Sequence, residues 1–223
     1  MMAHTKPGGR VHSTLGGNSA VHDELENLAF TEIVKRRRFG GSQSALVVPA
    51  GKGDLALEMA RLGSQVTAAD NAGSCGELER RALSSGLKDE VRVVVATLDD
   101  LQTLPTDPYD IVFCRRGLCS LPYEEACRTV RNLLLRLRIG GKLFLSVLGL
   151  HSELGEGYGG RDQMTKQRFA PLAPQMAAKY NIDAPVCLYS ERDLFLLMLE
   201  SGASVLRTFT TTHGNVKGVA VRV

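Results

Sequence analysis

Ala45-Leu46-Val47-Val48-Pro49-Ala50-Gly51-Lys52-Gly53-Asp54 is an apolar run that breaks into a glycine-containing turn and then into a helical pattern. Leu46, Val47 and Val48 suit a short, buried parallel strand. Gly51 and Gly53 let the backbone come close to a ligand, and Leu55, Ala56, Met59, Ala60 and Leu62 then recur at helical spacing. A strand, a tight turn and a helix N-terminus aim free N–H groups into one crevice, which suits a carboxylate, a ribose or a phosphate. After the helix, Gln65-Val66-Thr67-Ala68-Ala69 reads as a second strand closed by Asp70. An acid at that strand's carboxyl end is placed to accept both hydroxyls of an adenosine ribose. The competing reading makes Asp70 a cap for the helix that starts near Gly73.

Strands and helices alternate from residue 45 onward, the pattern of a parallel sheet covered on both faces. Strands are expected near 45–49, 65–69, 91–96, 109–114, 141–148, 203–210 and 216–223, with helices near 53–62, 74–86, 122–138 and 190–201. The stretch 149–189 has no repeating pattern; loops of that length are functional lids or contain their own helices. Met164 to Phe169 and Pro174 to Tyr180 are its two short helix candidates. Only Thr211-Thr212-His213-Gly214-Asn215 separates the last two strands. That gap is too short for a crossover, so those strands are expected to be antiparallel.

With 223 residues and 43% hydrophobic content the chain fits one domain with a full core. Residues 1–19 read as a flexible leader. An amphipathic helix follows over about 20–40, ending in Lys35-Arg36-Arg37-Arg38, where cations are favoured by the helix dipole. No apolar run reaches the roughly 20 residues of a membrane span, and there is no apolar signal core. Five cysteines without Cys-x-x-Cys spacing suggest neither a disulfide framework nor a metal site, which leaves a reducing cytoplasm as the default compartment. A net charge of +3 is too small to argue for nucleic acid.

Further blocks follow the first in order. Ala96-Thr97-Leu98-Asp99-Asp100-Leu101 lies at the third strand and Tyr109-Asp110-Ile111-Val112-Phe113-Cys114-Arg115 at the fourth. Leu133 to Arg138 with Ile139-Gly140-Gly141-Lys142-Leu143 reads as a leucine-rich helix, a Gly-Gly turn and a fifth strand. From about residue 44 to its end the chain thereby resembles a small-molecule class I S-adenosylmethionine-dependent methyltransferase. The resemblance implies a Rossmann-like α/β fold: a seven-stranded, mostly parallel sheet with an antiparallel C-terminal hairpin and helices on both faces. It also implies one methyltransferase domain over 20–223 with a substrate cap inserted at about 150–189. S-adenosyl-L-methionine is the implied cofactor, held by Pro49, Ala50, Gly51, Gly53, Asp70, Asn71, Thr97, Leu98, Cys114 and Arg115. Two departures stand out: Val47 and Pro49 occupy the usual acidic and first-glycine positions, and Thr97 replaces the Asp that often contacts the adenine, with Asp99 as the fallback.

Methyl transfer from a sulfonium is an in-line displacement, so catalysis is largely positioning, with a base where the nucleophile carries a proton. The acceptor is expected outside the carboxyl ends of the fourth and fifth strands, near Cys114 to Gly117 and Gly149 to His151. His151 is the general-base candidate, as imidazole titrates near neutral pH; His213 reaches the region from the other edge. Arg115 and Arg116 suit an acidic acceptor or the cofactor, and Glu153 to Asp162 has the composition of a closing lid or of a plain surface excursion. The partners expected are a small-molecule acceptor and, in a homodimer, a second copy of the chain; nucleic acid and membrane are not expected. Two rivals stand beside this reading. One is a non-catalytic partner subunit that keeps the fold, motivated by Val47, Pro49 and Thr97. The other is an RNA methyltransferase docking through Lys35 to Arg38, disfavoured by Cys114-Arg115-Arg116-Gly117 at the end of the fourth strand and by the scarcity of aromatic residues for stacking.

Overall fold

The structure, a computed structural model, describes residues 23–40 and 43–223; the expected leader 1–19 and the first residues of the helix 20–40 lie outside them. Helix α1 (Glu24–Arg38) starts at Asp23, whose carboxylate accepts from Glu26 N–H while the Glu26 side chain accepts from Asp23 N–H. That reciprocal capping satisfies two donors that a helix start leaves open. The chain then alternates through β1 (Gln43–Val47), α2 (Asp54–Arg61), β2 (Ser64–Asp70), α3 (Ala72–Ser84), β3 (Val91–Val95), β4 (Tyr109–Arg115), α4 (Tyr123–Leu135) and β5 (Leu137–Val147). A short helix α5 (Pro174–Tyr180), then α6 (Glu191–Glu200), β6 (Ser204–Thr210) and β7 (Val216–Val221) complete it.

The seven strands form one sheet in the order β3-β2-β1-β4-β5-β7-β6. β1 to β5 pair in parallel, and β7 is antiparallel to both β5 and β6. The five-residue gap is the hairpin turn it had to be. Strand alternation divides the core into two layers. Ala45, Val47, Ile111, Phe113 and Phe144 face α1, α2 and α3, and the Phe113 and Phe144 rings stack with centroids 6.0 Å apart. Leu46, Val48, Val112, Cys114, Leu143 and Leu145 face α4, α6 and the long segment before α6. The chain passes from β1 to the β2 side and returns to β4 on the other, so the topological switch lies between β1 and β4, where open α/β sheets bind ligands. No helix among the described residues is long and apolar enough to cross a membrane.

Two boundaries depart from expectation. The helix expected over 122–138 stops at Leu135, and β5 begins at Leu137 rather than at 141. The run Leu133 to Leu137 continues the helical pattern of apolar residues, but Leu137 pairs with Tyr109 across the sheet and Gly140 turns through φ 76° with its N–H on Arg222 O. The segment 149–189 is tied down rather than loose. Leu154, Tyr158, Leu172, Ile182, Val186, Leu188 and Tyr189 are buried in the α4 layer. The Tyr158 hydroxyl bonds to the carbonyls of Arg168 and Val186, and the buried Arg168 donates to Asp193 (2.6 Å) and to Leu188 O (3.1 Å). Its two expected short helices appear as a single 3-10 turn at Thr165–Gln167 and as α5.

Candidate active site

The first turn is built by bonds to its neighbours. Val48 N–H reaches Phe113 O on β4 (3.0 Å), and Ala50 N–H reaches Ala69 O on β2 (2.9 Å), so the chain between β1 and α2 spans both strands flanking β1. The Val48–Pro49 peptide is cis, and Gly51 and Gly53 take φ 57° and 84°, left-handed values that favour glycine. At Gly53 a Cβ would sit 2.9 Å from Leu78 Cγ of α3. Arg81 of the same helix donates to Lys52 O, so α3 holds the turn from outside.

Asp70, 5% exposed, closes β2 beneath this turn. Its Oδ2 accepts from Gly51 N–H (2.7 Å), and its Oδ1 accepts from Asn71 N–H and from the Asn71 side-chain amide (2.7 Å each). Gly51 and Asp70, expected as two separate ligand contacts, are bonded to each other. A carboxylate has about four lone-pair sites, so with three used one acceptor direction remains on Oδ2. The capping reading is settled otherwise: Asn71 caps α3 by accepting from Gly73 N–H (3.0 Å).

Beyond β3, Thr97 is exposed and Leu98 half-buried. Asp99, the fallback, borders a separate cleft of about 320 Å³ with Gln102, Thr106, Asn132 and Arg136. At Gly117, after β4, a Cβ would lie 2.5 Å from Leu98 Cδ1 and 2.9 Å from Pro49 Cδ. Three sequence-distant pieces, Pro49, Leu98 and Gly117, therefore meet at the carboxyl side of the switch point. Pro49 and Ala50 flank the turn, with Ala50 buried. Cys114 is fully buried on the α4 side, where burial pushes its thiol up to about 12, so this expected cofactor contact is not presented at the surface of the crevice.

Arg115 turns out to be committed. Its guanidinium pairs with Asp23 (2.9 Å) and Glu26 (2.6 Å) of α1. Asp23 also takes Lys217 (2.6 Å), whose side chain is 4% exposed. Burial opposes ionisation of Asp23, but the bonds from Lys217 and Glu26 N–H and the charges of Lys217 and Arg115 hold its carboxyl below the ordinary 3.8. Sequence reading missed this network entirely; the Asp23-x-x-Glu26 capping pattern was its only local trace.

His151 is exposed in the turn after β5, and its ring has no hydrogen bond among the described residues. The terminal hairpin meets that turn backbone to backbone. A Cβ on Gly149 would lie 1.6 Å from Gly214 O, and one on Gly214 would lie 2.6 Å from Ser152 Cα. His151 and His213 thus stand on two touching loops, both exposed. No group of three or more His, Cys, Asp or Glu among the described residues could hold a metal ion.

Residues 45–141 match the model of a family described as a methyltransferase domain. Over 105 residues the chain is 41% identical to a ubiquinone biosynthesis O-methyltransferase of Xanthomonas oryzae pv. oryzae (strain PXO99A), covering 46% of this chain and 42% of that protein. A namesake from Xanthomonas axonopodis pv. citri (strain 306) is 36% identical over 118 residues, covering 52% and 48%. The chain spans less than half the length of these curated relatives. Among solved structures, a SAM-dependent methyltransferase from Methanosarcina mazei superposes with TM-score 0.65 at 20% identity, over 85% of this chain and 97% of that one. The magnesium protoporphyrin IX methyltransferase of Synechocystis PCC 6803, solved with bound SAH, superposes with TM-score 0.64 at 18% identity, over 93% and 90%.

Proposed function

We propose, from the match of residues 45–141 to the methyltransferase-domain family, that the chain is a methyltransferase that transfers a methyl group from S-adenosylmethionine to a nucleophilic atom of a small molecule. Oxygen is the favoured atom, since the curated relatives are named O-methyltransferases; nitrogen and sulfur complete the range. The observation that carries the reading is Asp70, buried at the carboxyl end of β2 and bonded to Gly51 of the glycine turn. That carboxylate both fixes the turn and keeps one acceptor direction, which suits a ribose hydroxyl.

The residues present fit the cofactor. Bound there, S-adenosylmethionine supplies an electrophilic methyl group on a sulfonium. Asp70 accepts from the ribose, and the left-handed Gly51 and Gly53 leave room for the methionine portion against the backbone. Thr97 offers a hydroxyl and Leu98 an apolar edge on the adenine side, while the exposed Asn71 completes the rim. The Arg115 guanidinium holds α1 against the ends of β4 and β7 rather than a ligand. His151 takes the proton of a hydroxyl acceptor, its position in the turn after β5 placing it beside the acceptor side of the crevice.

Calorimetric titration with S-adenosylmethionine and S-adenosylhomocysteine tests this. Wild type binds both; Asp70→Ala loses at least tenfold, about 1.4 kcal/mol, and Asp70→Asn, which keeps one carbonyl oxygen for the Gly51 N–H, loses less. A folded wild type that binds neither ligand sinks the cofactor assignment.

A further inference from the structure

We propose that Arg116 is the anion-binding residue of the acceptor site and that the acceptor is a small carboxylate on an apolar body; the inference rests on the methyltransferase reading above. Arg116 is the first residue beyond β4. It is half-buried and one of two non-glycine residues at positive φ among those described, at 58°. L-residues seldom adopt that conformation, and where the surroundings enforce it the strain concentrates at functional sites. Here it is enforced from both sides: Arg116 N–H donates to Ser146 O of β5 (2.6 Å), and Arg116 O accepts from Cys119 N–H (3.2 Å). The side chain therefore leaves the sheet at a fixed angle where the carboxyl ends of β4 and β5 lie side by side, the acceptor end of the crevice.

Its guanidinium is uncommitted. Nε is buried and has no hydrogen-bond partner, and no carboxylate among the described residues forms an ion pair with it. The acids within electrostatic range, Asp23 and Glu26, are already spent on Arg115 and Lys217. The local count is two carboxylates against three cations, one of them with a buried donor left open. Burial and the neighbouring Arg115 both work against the charge on Arg116, and an incoming anion relieves both. A planar carboxylate matches the fork of guanidinium donors. The apolar part of the ligand follows from the chain beside the guanidinium: Gly117-Leu118-Cys119 after β4 and Val147-Leu148-Gly149-Leu150 at the end of β5 bring no charged side chain to this end of the crevice.

The test uses the full chain saturated with S-adenosylhomocysteine, titrated calorimetrically with benzoate and with benzamide, its neutral counterpart. Wild type is expected to bind benzoate saturably and at least about tenfold more tightly than benzamide. Arg116→Gln is expected to lose that preference, and Arg116→Lys, which keeps the charge, to retain most of it, with S-adenosylhomocysteine affinity alike in all three. Equal affinity for the two probes, undiminished benzoate binding by Arg116→Gln, or no saturable benzoate binding to the wild-type complex overturns the proposal. Failure to bind S-adenosylhomocysteine at all overturns the methyltransferase reading instead, and this one with it.

Discussion

Asp23→Ala is the most telling single perturbation, because one carboxylate closes a helix, pairs with a buried lysine and shares an arginine. Loss of the cap removes the acceptor for Glu26 N–H, which is 3.0 Å away, at about 1 kcal/mol. Lys217, with its side chain 4% exposed, pairs with no other acid among the described residues. Leaving a buried charge without its partner costs about 3 kcal/mol, the low end of the usual range, since Asp23 itself is 31% exposed. Arg115 keeps Glu26 at 2.6 Å and adds little. The sum, about 4 kcal/mol, is a large share of a total stability of about 5–15 kcal/mol, and it lowers Tm by about 8–16 °C for a chain of this size. Urea unfolding followed by circular dichroism measures it. The double variant Asp23→Ala, Lys217→Met removes the orphaned charge and is expected to recover most of the 3 kcal/mol, leaving the cap loss. The pH dependence has a definite sign. The folded pKa of Asp23 lies below its ordinary 3.8, so its contribution is complete above 3.8 and disappears as pH falls through the folded value. The gap between wild type and variant therefore stays constant from pH 7 to about 4.5 and closes below. A loss under about 1 kcal/mol, or no rescue by Lys217→Met, refutes the argument that the buried pair is what makes Asp23 costly to remove.

All five cysteines are free and buried, and burial raises every one of their thiol pKa values, Cys187 to about 11 and Cys114 to about 12. Ellman's reagent at pH 8 should therefore label the native protein only on the timescale of unfolding and release five equivalents in guanidinium; rapid labelling of Cys114 would contradict its placement. Gly117→Ala drives a methyl against Leu98 and the Pro49 ring, an overpacking of about 1–3 kcal/mol located at the mouth of the crevice. S-adenosylhomocysteine affinity should fall with it, and an affinity equal to wild type would show that Pro49 and Leu98 do not line the cofactor site.

Much of this fold is legible in the chain because its signals are local. Leu46 to Gly53 carries a strand and its turn within a few residues, and the five residues between β6 and β7 leave the chain no route but a hairpin. The start of β5 was hidden because Leu133 to Leu137 fits a helix by period, and only the partner Tyr109 decides otherwise. The packing of the segment 149–189 is hidden because its glycines and charges advertise a surface loop. What pins it, Arg168 against Asp193 and Tyr158 against Val186 O, joins residues whose contact no period announces.

The site divides along the same line, and adjacent Arg115 and Arg116 show why. By sequence they are interchangeable. Register separates them: Arg115 is the last paired residue of β4, opposite Ser146, which in turn faces Lys217 on β7. Strand alternation puts Arg115 and Lys217 on the Phe113 and Phe144 side, the side α1 covers, so both find the acids at the start of that helix. Arg116 comes after the pairing stops, in a left-handed turn that breaks the alternation and takes its side chain out of that row. The same chemistry is thus structural at one position and open to a ligand at the next. What selects between them is where β4 ends, a boundary set by the hydrogen bond from Arg116 N–H to Ser146 O.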